Sequence, residues 1–185
     1  MSPPSFDSEP ALLGPTPRPL GIVILTVSDT RSLETDKSGD ALVEFCASAG
    51  HRVEAREILK DEIGALRAAV SLHVARPEVD AILLTGGTGI TSRDVTPEAL
   101  APLIDKEIPG FGELFRWLSW ADIGTSTIQS RAHAGLVQGV LVFALPGSTG
   151  AVRLATDKIL RAQLDIRTRP CNFAELLPRL GRSHD

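Results

Sequence analysis

From residue 83 the chain reads Leu83-Leu84-Thr85-Gly86-Gly87-Thr88-Gly89-Ile90-Thr91-Ser92-Arg93-Asp94, an apolar strand followed by a glycine-rich loop and an aspartate. Glycines at the end of a buried strand let backbone N–H groups approach a ligand with no Cβ in the way. Such a group of N–H donors suits phosphate, and a carboxylate a few residues later suits the Mg²⁺ that accompanies phosphate. The segment therefore predicts a nucleotide or phosphate site. The predicted phosphate-binding residues are Thr85, Gly86, Gly87, Thr88 and Gly89.

This loop differs from the better-known phosphate-binding motifs. A Walker A loop needs Gly-Lys-[Ser/Thr], and no lysine lies between Leu83 and Leu103. The dinucleotide pattern G-x-G-x-x-G would start at Gly87, but Ser92 stands where its third glycine belongs. A tight strand-to-helix turn that binds no ligand is the alternative interpretation of the same residues.

The composition is that of an ordinary globular chain of 185 residues, with 43% hydrophobic and 23% charged residues. We expect a single domain over residues 19–185. The tail before it, residues 1–18, is rich in proline and shows no periodicity, so it is expected to be disordered.

Charge and cysteine content limit the partners and the compartment. The net charge of −4 argues against nucleic acid as a partner. No apolar run approaches the ~20 residues that span a bilayer, so no membrane association is expected. Cys46 and Cys171 show no C-x-x-C or metal-ligand spacing, and no secretory signal precedes them. Free thiols in a reducing cytoplasm are the expected arrangement.

Strand-length apolar runs alternate with segments of helical period along the rest of the chain. The predicted strands are Gly21–Val27, 51–58, 80–84 and Val140–Leu145. The predicted helices cover residues 42–49 and 63–74, begin at Thr96 as N-cap, cover 111–118, run from 148 to about 164, and end with a short one near 173. This alternation predicts an α/β fold, a three-layer α/β/α sandwich with a mostly parallel central sheet.

Three loops are expected to meet in one crevice, because ligands of such sheets bind at the carboxyl ends of the strands. These loops are Ser28-Asp29-Thr30, residues 86–94 and Pro146-Gly147-Ser148. Within them, Asp94 is a candidate Mg²⁺ ligand or else an acidic residue that favours the start of the following helix.

Other polar residues also have two interpretations. By its position Asp61 is a helix N-cap, and Ser148 is either a simple cap or part of an anion site. Asp29 either binds a polar ring or closes an Asx-turn. The hydroxyl-rich run that ends at Ser130-Arg131 lines a polar pocket or forms a solvated loop.

Together with the loop, several downstream motifs resemble the MogA/MoaB family of molybdenum cofactor biosynthesis proteins. The loop matches the family signature of two aliphatic residues, [Ser/Thr], Gly-Gly-Thr-Gly, four variable positions and Asp, and the resemblance covers residues 19–180. The other matching motifs are Asp94-Val95-Thr96-Pro97-Glu98-Ala99, Pro109-Gly110-Phe111-Gly112-Glu113, Ile123-Gly124-Thr125-Ser126, Ser130-Arg131-Ala132, Leu145-Pro146-Gly147-Ser148 and, for the MoaB branch, Arg167-Thr168-Arg169-Pro170-Cys171-Asn172-Phe173.

This resemblance implies a subunit that assembles as a homotrimer or homohexamer and works with other molybdenum cofactor biosynthesis proteins. The implied reaction is Mg²⁺-dependent: molybdopterin and ATP give adenylyl-molybdopterin and pyrophosphate. On the family pattern, Asp61 and Asp94 are the catalytic and Mg²⁺-binding residues. The implied phosphate-binding residues are 86–89 together with Pro146, Gly147 and Ser148. The implied pterin-binding residues are Ser28, Asp29, Ser119, Ser130 and Arg131.

Three short segments bear on whether the chain is active. Some MoaB-like sequences carry Glu in place of the first aspartate and Gly before the second, whereas this chain keeps Lys60-Asp61-Glu62 and Arg93-Asp94. The C-terminal motif points to the branch in which silent members occur. The alternatives are therefore a molybdopterin-binding paralogue without catalysis, acting as carrier, regulator or assembly partner, and an unrelated nucleotide hydrolase. No candidate general base near the loop supports the hydrolase.

Overall fold

The computed structural model describes residues 16–181, so that most of the predicted tail at 1–18 lies outside the described residues. Arg18, at the end of that tail, forms an ion pair of 3.1 Å with Asp80. The strands are β1 (Gly21–Val27), β2 (Arg52–Leu59), β3 (Ala81–Thr85), β4 (Lys106–Glu107), β5 (His133–Val137) and β6 (Val140–Leu145). The helices are α1 (Lys37–Ala49), α2 (Ile63–Val74), α3 (Thr96–Leu100), α4 (Pro109–Ile123), α5 (Thr149–Ala155), α6 (Arg161–Gln163) and α7 (Phe173–Leu176), with a π-helical turn at Thr156–Leu160 and 3₁₀ turns at Gly124–Gln129 and Leu177–Arg179.

All six strands form one sheet in the order β2-β1-β3-β6-β5-β4. β1 pairs in parallel with β2 and β3, and β3 pairs in parallel with β6. β5 and β4 complete the sheet with antiparallel pairing. The prediction of a mostly parallel sheet is confirmed, and the carboxyl ends of β1, β3 and β6 lie side by side.

Alternating residues of β1 supply the two hydrophobic cores that cover the sheet. Ile22 and Ile24 pack on one face with α1, α4, α5 and the C-terminal segment. Val23 and Leu25 point to the other face, where α2 and α3 cover them. Helices therefore lie on both faces, as expected of a parallel sheet, and the predicted three-layer α/β/α sandwich is confirmed. Within residues 16–181 we find no helix with the length and apolar character needed to cross a membrane.

The structure differs from the sequence prediction in the strands and at a helix cap. β4 and β5 have no counterpart among the predicted strands. β5 pairs with β6 across a tight turn in which Gln138 and Gly139 have φ of 49° and 78°. Thr96 is not the N-cap of α3, because Val95 occupies that position without a side-chain cap. The Thr96 hydroxyl instead donates to the Gly86 carbonyl at 2.9 Å, so it connects the helix to the glycine loop.

Candidate active site

The loops that follow β1, β3 and β6 line one crevice of about 710 Å³. The structure thus brings together the three loops named from the sequence. Gly147 packs against the loop after β3, because a Cβ at this position would lie 3.3 Å from the Gly86 Cα. Thr85 is buried and donates its hydroxyl to the Pro146 carbonyl at 3.1 Å, while the Gly86 N–H donates to the Leu145 carbonyl at 3.0 Å. The loops after β3 and β6 therefore form one rigid wall.

Two glycines of this wall are required by geometry. Gly86 and Gly87 have φ of 109° and 63°, a region that favours glycine. A Cβ at Gly86 would lie 2.2 Å from the Val27 carbonyl oxygen, and one at Gly87 would lie 2.4 Å from the Thr96 hydroxyl. Since neither position tolerates a side chain, the backbone itself forms the surface of the crevice.

Asp94 closes the glycine loop. Its carboxylate accepts hydrogen bonds from the Thr91 amide at 2.8 Å and from the Thr91 hydroxyl at 2.6 Å. Burial alone would raise the pKa of Asp94, but the bonds from Thr91, the Gly89 amide and the charge of Arg131 together lower it. Asp94 is therefore ionised at neutral pH and held against the loop at the wall of the crevice.

Asp61 also lines the crevice and is not a helix cap. The N-cap of α2 is Glu62, which makes no side-chain cap bond. The Asp61 carboxylate lies beside Gly87, where a Cβ would meet its Oδ1 at 3.0 Å. Burial raises the pKa of Asp61, the charges of Asp29 and Asp94 raise it further, and Arg93 offsets part of the effect.

Asp61 and Asp94 suit a divalent cation that shares its ligands with a phosphate. They are two carboxylates in one crevice, and the field of Asp94 disfavours the charge on Asp61. Within the described residues no group of three or more His, Cys, Asp or Glu forms a complete metal cage. One or two carboxylates completed by phosphate oxygens and water is the arrangement typical of Mg²⁺ in nucleotide sites.

Asp29 lies beside the crevice and ties two loops to each other. Its Oδ2 accepts hydrogen bonds from Nε and Nη2 of Arg93 at 3.0 and 2.7 Å. Its Oδ1 accepts the Asp61 N–H at 3.3 Å. The hydrogen bond from Arg93 is the largest of the effects that lower the pKa of Asp29. These bonds are not those of the Asx-turn in the sequence interpretation, and a contact of Asp29 with a polar ring of a ligand stays a prediction.

The predicted serines line the crevice, whereas Arg131 does not. Ser148 caps α5 by accepting the Ala151 N–H at 3.2 Å, and Ser119 donates to the Phe115 carbonyl at 2.8 Å. Arg131 lies behind the glycine loop, where it donates to the carbonyls of Gly89 and Asp94 at 2.7 and 2.8 Å and pairs with Glu98. The remaining serines in the wall are Ser28 and Ser130.

Apart from Ser119, the residues of the far wall of the crevice were not expected from the sequence. The wall comes from α4, the 3₁₀ turn after it, and α5. Its residues include Phe115, Asp122, Ile123, Gln129 and Leu154. Phe115 lies one helical turn before Ser119, so the helical period could have identified it once Ser119 was chosen. The others depend on how the helices pack, which no local pattern specifies.

Most of the chain is similar in sequence to known proteins of molybdenum cofactor biosynthesis. The family described as "Probable molybdopterin binding domain" matches residues 23–166. Molybdenum cofactor biosynthesis protein B of Escherichia coli (strain K12) is 53% identical over 155 residues, covering 84% of this chain and 91% of the relative. The Bacillus subtilis (strain 168) protein of the same name is 53% identical over 142 residues, covering 76% and 84%.

Solved structures of proteins with related names share the fold of this chain. A crystal structure of molybdenum cofactor biosynthesis protein B superposes with a TM-score of 0.82 and 44% identity, covering 91% of this chain and all of the other. The tungsten cofactor synthesizing protein MoaB from Pyrococcus furiosus has a TM-score of 0.74 and 31% identity, covering 90% and 100%. Similarity of this extent includes the sheet and the three loops that line the crevice.

Proposed function

Because the chain belongs to the MogA/MoaB family of molybdenum cofactor biosynthesis proteins, we propose that it adenylylates molybdopterin with ATP in the presence of Mg²⁺. One observation carries the proposal. A crevice contains an open glycine backbone and two carboxylates, Asp61 and Asp94, on adjoining loops. Its volume of about 710 Å³ lies within the range of small-molecule sites.

The proposed chemistry is a nucleotidyl transfer. An oxygen of the terminal phosphate of molybdopterin attacks the α-phosphorus of ATP and forms a new P–O bond. The bond between the α-phosphorus and the α,β-bridging oxygen breaks, and its electron pair leaves with pyrophosphate. The products are adenylyl-molybdopterin, in which a phosphoanhydride joins the two halves, and pyrophosphate.

Positioning and charge neutralisation supply most of the rate in transfers of this kind. The wall of Gly86, Gly87 and Gly147 lets phosphates approach the backbone without a Cβ in the way. Asp61 and Asp94 would hold Mg²⁺, which neutralises phosphate charge when bound. Phe115 and Leu154 contribute apolar surface to the far wall, as suits a pterin or adenine ring.

Assembly and location belong to the same proposal. We propose a homotrimer or homohexamer that acts with other molybdenum cofactor biosynthesis proteins. Cys46 is buried and Cys171 is exposed, and both are free thiols, which agrees with a reducing cytoplasm.

Pyrophosphate release from ATP and Mg²⁺, with and without molybdopterin, tests the proposal. We expect release that requires the pterin and that falls by about a hundredfold or more in Asp61→Asn and in Asp94→Asn, as for lost electrostatic groups in other active sites. Asp157→Asn is the matched control, because Asp157 is an exposed aspartate that does not line the crevice. Unchanged release in both crevice variants would exclude the proposed site. Pterin binding without any release would identify the silent paralogue described above.

A further inference from the structure

Arg93 differs from the other arginines around the crevice in how its guanidinium is used. Arg31 is committed to the fold, since it donates to the Gly147 carbonyl at 2.9 Å and pairs with the buried Asp36. Arg131 is committed to two carbonyls behind the glycine loop and to Glu98. Arg93 lines the crevice, and its Nε and Nη2 both donate to the same oxygen of Asp29, Oδ2.

The contact between Arg93 and Asp29 is easily exchanged. The two side chains are 59% and 38% exposed, and an ion pair at that exposure contributes little net stability. Within residues 16–181, Nη1 of Arg93 has no hydrogen-bond partner. A guanidinium binds phosphate oxygens in a bidentate, charge-assisted manner that a single carboxylate oxygen does not match. A polyphosphate in the crevice can therefore replace Asp29 as the partner of Arg93.

The position of Arg93 suits this exchange. Asp29 and Asp61 both act on the charge of Arg93, and the Mg²⁺ that Asp61 and Asp94 would hold would offset their repulsion of an entering polyphosphate. Asp29 does not line the crevice, whereas Arg93 does. The pair thus places its positive member at the crevice and its negative member outside it.

We propose that Arg93 binds the β- and γ-phosphates of the nucleotide and stays bound to the pyrophosphate as it separates from the α-phosphorus. Asp29 competes for the same guanidinium. This inference rests on the proposed function and adds to that site a phosphate-binding residue, Arg93, and its competitor, Asp29. In the empty crevice Asp29 holds Arg93 at the rim. After transfer, Asp29 draws Arg93 away from pyrophosphate and so favours its release.

Equilibrium binding of two probes to the full chain tests the exchange. The probes are inorganic pyrophosphate with Mg²⁺, and AMP, which lacks the β- and γ-phosphates. We expect Arg93→Ala to weaken pyrophosphate binding by about tenfold or more while AMP binding changes by less than about twofold. Arg93→Lys keeps the charge without the bidentate geometry and should fall between the two. Arg153→Ala is the matched control, because Arg153 is also 59% exposed and forms an ion pair away from the crevice.

Replacing the competitor, Asp29, should change the affinity for pyrophosphate in the opposite direction. Asp29→Asn should tighten pyrophosphate binding and slow its release, and in the Arg93→Ala background the same change should have no effect. If Asp29 only ties loops together, both single variants will weaken pyrophosphate and AMP alike, and the inference is overturned.

The outcome for the unmodified chain separates this inference from the proposed function. If it binds neither probe, both are excluded. If it binds both probes and Arg93→Ala changes neither affinity, only the role of Arg93 is excluded, and the crevice remains the proposed nucleotide site.

Discussion

At the scale of single residues, Asp61 occupies a position that disfavours its charge. Burial and the neighbouring Asp29 and Asp94 all raise its pKa above the ordinary value of 3.8. A carboxyl group with a raised pKa holds its proton more tightly in the folded protein than in the unfolded chain. The site therefore keeps a carboxylate that suits a cation at some cost to the stability of the empty protein.

Replacing Asp61 should consequently stabilise the folded protein at neutral pH. Because the folded-state pKa is raised, the favourable contribution of Asp61 is present below 3.8 and is lost as the pH rises through the folded-state pKa. We expect Asp61→Asn to have a higher Tm than the unmodified protein at pH 7, and the difference to disappear below pH 3.8. Thermal unfolding across pH, with Asp157→Asn as the control, measures this. An equal or lower Tm at pH 7 would contradict it.

These residues differ in how far their roles can be predicted from the sequence. The glycine loop and Asp94 were predicted from a local pattern, because the loop encodes its own backbone geometry. Asp61 was predicted to be a cap from position alone and became a site residue only through the family resemblance. Its neighbours Asp29 and Asp94 lie on other loops, and such proximity has no local signature.

At the scale of elements, the glycine loop depends on Gly87 having no side chain. We expect Gly87→Ala to destabilise the protein by about 1–3 kcal/mol, through left-handed strain and the clash with the Thr96 hydroxyl, and to abolish ligand binding. Gly64→Ala is the matched control. Gly64 is the second residue of α2 and has open space around it, so this change should stabilise by about 0.4–1 kcal/mol. Urea unfolding measures both, and a neutral Gly87→Ala would contradict the geometry.

Elements with strong periodicity were predicted, and β5 was not. Residues His133 to Val137 include alanine and glycine and follow a hydroxyl-rich run, so they carry little intrinsic strand preference. The strand forms because β6 offers a fully buried partner across the turn at Gln138 and Gly139. Pairing with a neighbour, and not the local pattern, accounts for its conformation.

At the scale of the whole molecule, α4 has an apolar outer face. Phe111 and Phe115 are buried in the core beneath it. Trp117 and Trp120 are 48% and 58% exposed, and Leu114 and Ile123 extend the exposed face. The four aromatic residues of this helix are thus divided between the core and the surface, and an apolar surface of this kind is typical of a subunit interface.

We predict that the protein is a trimer or hexamer of its 19.7 kDa chain and that α4 contributes to the contact. Light scattering coupled to size exclusion measures the mass. Trp120→Glu should lower it to that of a smaller assembly or a single chain, because a buried unpaired carboxylate opposes association. Leu72→Glu, on the exposed surface of α2 in the opposite layer, is the control and should leave the mass unchanged. A monomeric unmodified protein at micromolar concentration would contradict the prediction.

The position of β6 within the sheet also affects how the chain folds as it leaves the ribosome. β6 is the last strand in the chain, yet it lies between β3 and β5. Until residue 145 has been synthesised, β3 has an open edge and the hairpin partner of β5 does not exist. A nascent chain that stalls earlier therefore exposes to other unfolded chains the strand Ala81–Thr85, which is fully buried in the folded protein. We therefore expect the nascent chain to be most prone to aggregation while the residues between β3 and β6 are being synthesised, since the sheet cannot close until β6 has emerged.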